Sequence, residues 1–573
     1  MSETKLSGGT RCLIDDYQER GQEAVSLRSR VFGVYAAEGG NDPEVHVFLT
    51  VDPAVPLSGL DPSIRVTQRP GNLQIATIPL SLVKDLAAHP AVQRVQIARY
   101  LRPTLNDLLP FLHVPPLEPS TGASKRQVLV GIVDSGIDGS HSAFANGRIL
   151  TVWDQTANGA GVAEGPGLEL RDGETRKATD ERGHGTHVAG IAVGNHPIFA
   201  GMAPNAKLAI VKTDFQDANV VRGLWYLERI AREKRLPLVV NLSLGGHLDG
   251  HDGDDELSLA VDQFSGPERI VCCAAGNEGQ DAIHASITMA QGDTAEITFE
   301  ISAARELVVL NGWYSGQDEI DVAVEDPNGL RTAFQQPIVG SQQLQRYAVG
   351  AAIVQAVTPS AAGSHSDRHF HIQLSRRGGL PQGTWKLLLS ARVARVGIID
   401  VWSTDDHGDA GAPFTSHVDD RMKVGSPGCA RSAITVGNYA SRLRYTADTG
   451  FSVKGRSFVF PNQVVPGSSR GPTRDNRPKP EILAPGAVVI SALSSQSQIS
   501  PDLQVSGTFR AMEGTSMSCA VVSGLAARLL ETEPNLTPDD FKRRLIRSVQ
   551  SGVGAPPKSN PQEDAGLIDA GRL

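Results

Sequence analysis

Runs of apolar residues alternate with amphipathic stretches through much of the chain. Residues 128–133, 208–211, 238–242 and 270–274 are almost continuously apolar, as in strands buried on both faces. Helical periodicity occupies residues 220–232, between two of these strands. Strands separated by helices predict a parallel sheet with helices on both faces. The expected fold class is therefore α/β.

An earlier region has a different pattern, with short strands around one helix. Strands are predicted at 45–51, 75–80 and 92–97, and a capped amphipathic helix at 81–88. These elements predict a small α+β domain over residues 41–102.

Repeated short strands without intervening helices follow between residues 295 and 402, with a turn signal at 326–329 (DPNG). This pattern predicts a β-sandwich inserted into the core, with a jelly roll as one arrangement. The predicted units are an N-terminal extension (1–40), the small α+β domain (41–102), a connector (103–125), the first part of the core (126–280), the inserted β-sandwich (281–420) and the second part of the core (421–573).

Composition and charge narrow the class of protein. The chain is 40% hydrophobic and 20% charged, as in globular proteins, and its net charge of −9 with no long basic run disfavours nucleic acid or membrane partners. The first residues lack the pattern of a secretory signal. The five cysteines are odd in number and include the adjacent Cys272 and Cys273, which favours reduced thiols. We therefore expect a cytoplasmic protein.

A candidate nucleophile lies at residues 514–518 (GTSMS), a turn that leads into a small-residue apolar run. This pattern places Ser516 in the first turn of a buried helix. Unpaired backbone N–H groups there would stabilise negative charge on an attacked carbonyl. Taken alone, Ser516 is more simply a helix cap.

A nucleophilic serine needs a base and a carboxylate that orients the base. Asp134 ends the apolar strand 128–133, and His184 begins the small-residue helix predicted within 183–190 (GHGTHVAG). Taken alone, each residue fits a non-catalytic role at least as well as a catalytic one. Asp134 could be a turn residue, and His184 could be a helix cap or a metal ligand.

In the order Asp134, His184, Ser516, these segments resemble the subtilisin-like serine proteases (subtilases, peptidase S8). Four further segments match that family in the right order: 241–246 (NLSLGG), 274–279 (AAGNEG), 468–472 (SSRGP) and 479–486 (KPEILAPG).

The resemblance implies a serine endopeptidase that hydrolyses peptide bonds. Ser516 would attack the carbonyl, His184 would carry the proton, and Asp134 would hold the imidazole. The Asn277 side chain and the Ser516 N–H would form the oxyanion hole. His187 is taken as structural. The chemistry would need no metal or other cofactor.

The resemblance also implies how a protein or peptide substrate binds. Extended substrate would pair with the segment at 243–245, and small residues at 274–276 would leave room for a large apolar side chain. Glu278 could also admit a basic side chain. The alternative is that these residues only pack the core. The six candidate substrate-binding residues are Ser243, Leu244, Gly245, Ala274, Ala275 and Gly276.

The domain at 41–102 resembles an inhibitory propeptide of this family and would lie in the protein's own active-site cleft. The alternative is a permanent domain that only packs on the core. If the domain is cleaved off, the connector between about residues 100 and 113 is the natural place. The layout with an inserted β-sandwich resembles that of a bacterial subtilase branch, which includes the clostridial spore-germination (Csp-type) proteases.

Two positions depart from the family pattern. Ala520 stands where a proline usually follows the nucleophile, and Ala143 stands where an acid usually binds calcium. The family's strongest calcium site is therefore not expected, although structural calcium elsewhere stays open. Three nearby histidines, 365, 369 and 371, lack other metal-ligand signals.

Two other functions remain open at this point. The protein could be a protease dedicated to one partner, or a non-catalytic binding or scaffold protein with a subtilase fold. The presence of all four catalytic residue types favours an enzyme. The sequence defines no oligomeric state.

Overall fold

The structure is a computed structural model of the chain. It describes these residues: 5–21, 34–35, 42–67, 71–98, 102–103, 126–302, 305–337, 343–350, 352–358, 367–405, 411–441, 444–450, 452–454, 460, 462–548 and 566–568.

In its described residues, the N-terminal module contains an antiparallel sheet and two α-helices. Its strands follow the order β1-β2-β4-β3, and β5 also pairs with β2. The sequence also allows a helix at about residues 13–31; residues 13–20 belong to α1, whereas 22–31 lie outside the described residues. The elements are α1 (Gly8–Arg20), β1 (Val34–Tyr35), β2 (Glu44–Val51), β3 (Arg65–Thr67), β4 (Leu73–Pro79), α2 (Val83–Ala88) and β5 (Val92–Ile97).

The first part of the core alternates strands and helices. Its elements are β6 (Arg102–Pro103), β7 (Leu129–Asp134), β8 (Ile149–Asp154), β9 (Leu168–Arg171), α3 (His184–Val193), β10 (Lys207–Lys212), α4 (Asp217–Lys234), β11 (Leu238–Leu242), β12 (Leu244–Gly245), α5 (Glu256–Phe264) and β13 (Arg269–Ala274).

In the described part of the insert, the elements are all strands. They are β14 (His284–Thr288), β15 (Thr294–Ile301), β16 (Leu307–Tyr314), β17 (Glu319–Glu325), β18 (Gln343–Val349), β19 (Ala352–Thr358), β20 (Arg368–Ser375), β21 (Gly383–Val393) and β22 (Ile398–Asp405).

The chain then returns to the core. The remaining elements are β23 (Ile434–Ala440), β24 (Arg444–Thr446), β25 (Ser452–Lys454), β26 (Ile482–Ala487), β27 (Val489–Ala492), β28 (Gln504–Val505), β29 (Phe509–Met512), α6 (Thr515–Thr532) and α7 (Pro538–Arg547). None of the described helices combines the length and the hydropathy that a membrane-spanning segment needs.

The central sheet has the order β26-β23-β13-β11-β7-β10-β8-β9. Every neighbouring pair is parallel except β8 and β9. One face packs against α3, α6 and α7, and the other against α4 and α5. At Gly131 a Cβ would lie 2.6 Å from Leu227 Cδ1, so only glycine lets α4 approach β7 this closely. The predicted α/β fold class is confirmed.

The insert contains two antiparallel sheets, one of six strands (β14, β22, β16, β20, β19, β18) and one of three (β15, β21, β17). Apolar side chains from both sheets, including Phe299, Val322, Phe370 and Trp385, form one shared core. The insert is therefore a separate antiparallel unit attached to the α/β core.

The N-terminal module contacts both other parts. Phe48 and Ile75 of its sheet share an apolar cluster with α4. Arg222, a buried residue of α4, donates hydrogen bonds of 3.0 Å to His46 Nε2 and to Thr77 Oγ1 of that sheet. On another side, α1 shares an apolar cluster with β16.

A buried ion pair provides a test of the core. Lys479 Nζ lies 2.8 Å from Glu481 Oε1, and both side chains are at most 5% exposed. Replacing Glu481 with glutamine would leave the ammonium group buried without its counter-charge. We expect the free energy of unfolding to fall by about 3–5 kcal/mol.

Urea denaturation of full-length protein, followed by tryptophan fluorescence, measures this change. The matched control is Glu174→Gln, which breaks an ion pair with Lys177 whose side chains are 60% and 70% exposed. That variant should lose less than about 0.5 kcal/mol. Equal losses in the two variants would contradict the assigned role of the buried pair.

Candidate active site

Asp134 and His184 meet at the carboxyl edge of the central sheet. Asp134 is the last residue of β7, and His184 is the first residue of α3. His184 Nδ1 lies 2.7 Å from Asp134 Oδ1, and both side chains are fully buried. The same carboxylate oxygen accepts a hydrogen bond of 2.7 Å from Ser135 N–H. Within the described residues, His184 Nε2 has no hydrogen-bond partner.

Asp180 holds the start of α3 in place. Its Oδ2 accepts hydrogen bonds from Thr186 N–H (2.8 Å) and Thr186 Oγ1 (2.7 Å). Its Oδ1 accepts from Gly183 N–H and from Ser135 Oγ, each at 2.8 Å. Because Asp180 is fully buried and binds both sides of the Asp134–His184 pair, we infer that it positions them. Asp180 was not predicted from the sequence, although an acid four residues before His184 was a signal.

Ser516 is the second residue of α6, which follows Gly514. Gly514 has φ = 146°, a backbone conformation that favours glycine and turns the chain sharply into the helix. The Ser516 hydroxyl is buried and donates a long hydrogen bond of 3.5 Å to the carbonyl of Ser243. Ser243 Oγ in turn donates to the Ser516 carbonyl at 2.9 Å. The candidate nucleophile is therefore tied to the candidate substrate-binding segment.

Asn277 lies beside the same helix. Its Oδ1 accepts hydrogen bonds from Thr515 N–H (3.0 Å) and Thr515 Oγ1 (3.2 Å). Within the described residues its Nδ2 is buried and has no partner. With Oδ1 held by Thr515, the amide N–H₂ group remains as a donor in the site. Thr515 was not singled out from the sequence.

Five of the six candidate substrate-binding residues are buried, and the sixth, Gly245, is half-buried. Leu244 and Gly245 form β12, whereas Ala274 ends β13. Gly276 has φ = 108°, and a Cβ there would lie 2.5 Å from Glu278 Oε2. Residues 274–276 thus begin at the last residue of β13, the strand next to β11, and continue to a position near the start of α6.

The carboxylate of Glu278 is bound by other residues of the protein itself. Its Oε2 accepts hydrogen bonds from Asn277 N–H (2.7 Å) and Ser469 Oγ (2.9 Å), and it lies 3.5 Å from His247 Nε2. Burial alone would raise the pKa of Glu278, but His247 and these hydrogen bonds outweigh burial and lower it. These contacts weaken the idea that Glu278 selects a basic substrate side chain.

His187 contacts the core rather than the Asp134–His184 pair. Its Nε2 lies 3.1 Å from the Val489 carbonyl and 3.2 Å from the Arg510 carbonyl. Burial, and then the positive charge of Arg510, hold the pKa of His187 well below its usual value. A neutral imidazole bonded to backbone carbonyls is consistent with a structural role.

The two-residue strand β6 pairs with β12. The register is antiparallel, with Pro103 opposite Leu244 and Arg102 opposite Gly245. The chain that follows the N-terminal module thus lies along the candidate substrate-binding segment.

Within the described residues, no group of three or more His, Cys, Asp or Glu side chains is arranged to hold a metal ion. Of the three histidines noted above, His365 lies outside the described residues.

A sequence model of the subtilase family (Peptidase_S8) matches residues 125–395 and 381–566, well over half of the chain. The chain is 35% identical over 129 residues to serine protease AprX of Bacillus subtilis, which covers 22% of this chain and 26% of AprX. It is 30% identical over 218 residues to the major intracellular serine protease of the same organism. That match covers 37% of this chain and 61% of the relative. Each of these relatives is thus matched over less than two thirds of its own length.

Among solved structures, the CspB protease of Clostridium perfringens matches 78% of this chain and 92% of its own, with a TM-score of 0.65 and 22% identity. At this identity the likeness shows the fold. The family match, the order of the segments and the fold agree, and the chain belongs to the subtilase family.

Proposed function

We propose that this protein is a serine endopeptidase that hydrolyses peptide bonds of protein or peptide substrates. The observation that carries the proposal is the Asp134–His184 hydrogen bond of 2.7 Å at the sheet edge. This bond leaves His184 Nε2 as the ring nitrogen that can accept a proton. Family membership supports the same activity.

In the proposed mechanism, His184 Nε2 takes the Ser516 hydroxyl proton as Oγ attacks the scissile carbonyl. Asp134 keeps Nδ1 protonated and stabilises the imidazolium that forms. His184 then gives its proton to the leaving amine as the C–N bond breaks, which leaves an acyl-enzyme. Water attacks this ester by the same route and regenerates Ser516. No metal or cofactor takes part in these steps.

Asn277 is proposed to stabilise the tetrahedral intermediate together with the Ser516 N–H. Asn277→Ala should lower kcat about a hundred- to a thousandfold with little change in KM, because the lost hydrogen bond forms mainly in the transition state. Steady-state hydrolysis of a chromogenic peptide measures both constants.

The matched control for this test is Asn158→Ala, which changes an exposed asparagine. It should keep kcat within about twofold, because exposed substitutions rarely affect a distant site. If Asn277→Ala instead raises KM and leaves kcat unchanged, Asn277 binds substrate and is not part of an oxyanion hole.

Substrates are proposed to bind as extended strands along Ser243, Leu244 and Gly245, which selects unfolded segments and loops. The antiparallel pairing of β6 with β12 supports this mode, because Leu244 and Gly245 pair there with an extended strand, Arg102–Pro103. The small residues Ala274, Ala275 and Gly276 support a pocket for a large apolar side chain.

The N-terminal module is proposed to act as an inhibitory, propeptide-like domain in its own cleft, so that the protein would be made as a zymogen. The pairing of β6 with β12 and the buried contact of Arg222 with the module support this role. The complete burial of Asp134, His184 and Ser516 supports an inhibited state. The same burial is also compatible with a protease restricted to one partner.

A cytoplasmic location is proposed as well. All five cysteines are buried free thiols. Burial raises the pKa of the Cys272 thiol to about 12, so this group stays protonated and unreactive. Unpaired buried cysteines are typical of reducing compartments.

A further inference from the structure

A cavity of about 70 Å³ lies where the N-terminal module, the core and the insert meet. One water molecule needs about 10–15 Å³ of such space, so the cavity has room for a small organic molecule. Its walls come from the starts of α1 and α5, from β5, and from the insert around Trp313 and His369. This cavity lies outside the proposed catalytic machinery.

The lining is acidic. Six carboxylates and one arginine, Arg94, line the cavity, and Arg431, Arg474 and Arg477 contact lining residues from outside it. The lining carboxylates are Asp249, Asp252, Asp254, Asp255, Glu256 and Asp367. Such a surface attracts a cation.

Several buried polar atoms in the wall lack hydrogen-bond partners in the part of the chain that the structure describes, among them Glu256 Oε2, His369 Nδ1 and Trp313 Nε1. Glu256 is 3% exposed, and its Oε1 lies 3.3 Å from Arg94 Nε, but within the described residues its Oε2 has no hydrogen-bond partner. His369 is 9% exposed, and its Nδ1 likewise has no partner there. Leaving such groups unpaired in a protein interior is costly, so each points to a ligand atom that would pair with it.

The charge of the ligand follows from these groups. Burial, and then the nearby His371, Arg94 and Arg474, lower the pKa of His369 to about 3, so its ring is neutral and adds no positive charge. The helix α5 offers little to an anion, because Asp255 already accepts hydrogen bonds from the N–H groups of Leu257 and Ser258, each at 3.2 Å. The free carboxylate oxygen of Glu256 requires a donor.

We propose that this cavity binds a small organic cation that carries an ammonium or guanidinium group, which donates to Glu256 Oε2. A metal ion fits less well, because the described residues contain no group of three or more side chains with metal-ligand geometry. A basic side chain on a folded partner also fits less well, because Asp249, Asp255 and Glu256 are all less than 10% exposed. Since three parts of the chain form the wall, binding would hold them together and raise the unfolding midpoint.

The experiment uses n-butylammonium chloride as the probe and full-length protein carrying Ser516→Ala, which prevents self-digestion. The unfolding midpoint is measured against probe concentration at constant ionic strength, with the uncharged 1-butanol as the control molecule. The midpoint should rise with n-butylammonium and stay level with 1-butanol. No response, or an equal response to both molecules, would overturn the proposal.

We expect two substitutions of lining residues to change the affinity for n-butylammonium in opposite directions. Glu256→Gln should weaken n-butylammonium binding about tenfold, because a hydrogen bond to a charged group is lost. Arg94→Gln should tighten binding several-fold, because it removes the cation that competes for Glu256. Arg94 has a side chain that is 36% exposed, so this variant should fold, and damage to the structure would not tighten binding.

The control variant is Glu174→Gln, which changes an exposed carboxylate. It should leave binding unchanged. Equal affinity in the wild-type lining, Glu256→Gln and Arg94→Gln would place the probe elsewhere on the protein and refute the site. The outcome does not depend on proteolytic activity, so it is independent of the proposed function.

Discussion

Replacing Ser516 with alanine is expected to lower kcat about a millionfold, the size known for the same change in subtilisin itself. This loss corresponds to about 8 kcal/mol of activation free energy. The physical reason is that no other group can form the acyl-enzyme, and His184 then has no hydroxyl to deprotonate. Active-site titration gives the concentration of the wild-type enzyme, absorbance gives that of the variant, and a sensitive fluorogenic peptide makes the residual rate measurable.

The matched control is Ser518→Ala on the same helix. Ser518 Oγ donates to the Ala484 carbonyl at 2.9 Å and takes no part in the proposed chemistry. Its loss should change kcat less than about tenfold. Comparable losses in the two variants would mean that Ser516 acts through the packing of α6 and not as the nucleophile.

The same two variants test the N-terminal module. If the module is an autoprocessed propeptide, intact-mass measurement should show that wild-type protein loses about a hundred N-terminal residues, near the predicted connector. The Ser516→Ala protein should stay whole, and Ser518→Ala should behave like wild type. A full-length wild type with normal peptidase activity would instead identify the module as permanent.

Replacing Asp134 with asparagine should lower kcat about ten-thousandfold while KM stays nearly constant. Asparagine keeps the size of the side chain but removes its charge. The new amide no longer favours the tautomer in which Nδ1 is protonated and Nε2 is free, and it does not stabilise the imidazolium. The 2.7 Å contact between the fully buried Asp134 and His184 makes the effect large.

Asp154→Asn is the control, since Asp154 ends β8 in the same sheet. This variant should retain kcat within about threefold, because its carboxylate caps a turn at Thr156. If Asp134→Asn keeps more than about a tenth of the wild-type kcat, then Asp134 does not orient the base.

The central sheet was predictable because its strands are buried on both faces. Every residue of β7 and β11 is buried, and such strands appear in sequence as continuous apolar runs. The strand order in the two packed sheets of the insert was less predictable from the sequence, because it depends on contacts between residues far apart in the chain. For example, β16 pairs with both β20 and β22.

The candidate site was predictable only as far as it is made of local motifs. Asp134 and His184 each stand at the end of an element, which the sequence shows directly. Asp180 joins them through side-chain hydrogen bonds, and no local pattern encodes those bonds. The cavity is a stronger example, since Arg94, Glu256 and His369 come from three distant segments that only the fold brings together.

Covalent labelling with a fluorophosphonate, followed by peptide mass spectrometry, tests whether Ser516 is an activated nucleophile. A fluorophosphonate reacts with a serine that a neighbouring base activates. If the N-terminal segment blocks the site, limited proteolysis before labelling removes it. We expect a single phosphonylated residue, Ser516, and we expect the label to be lost in His184→Ala. Absence of labelling at Ser516 after that treatment, or unchanged labelling in His184→Ala, would contradict this expectation.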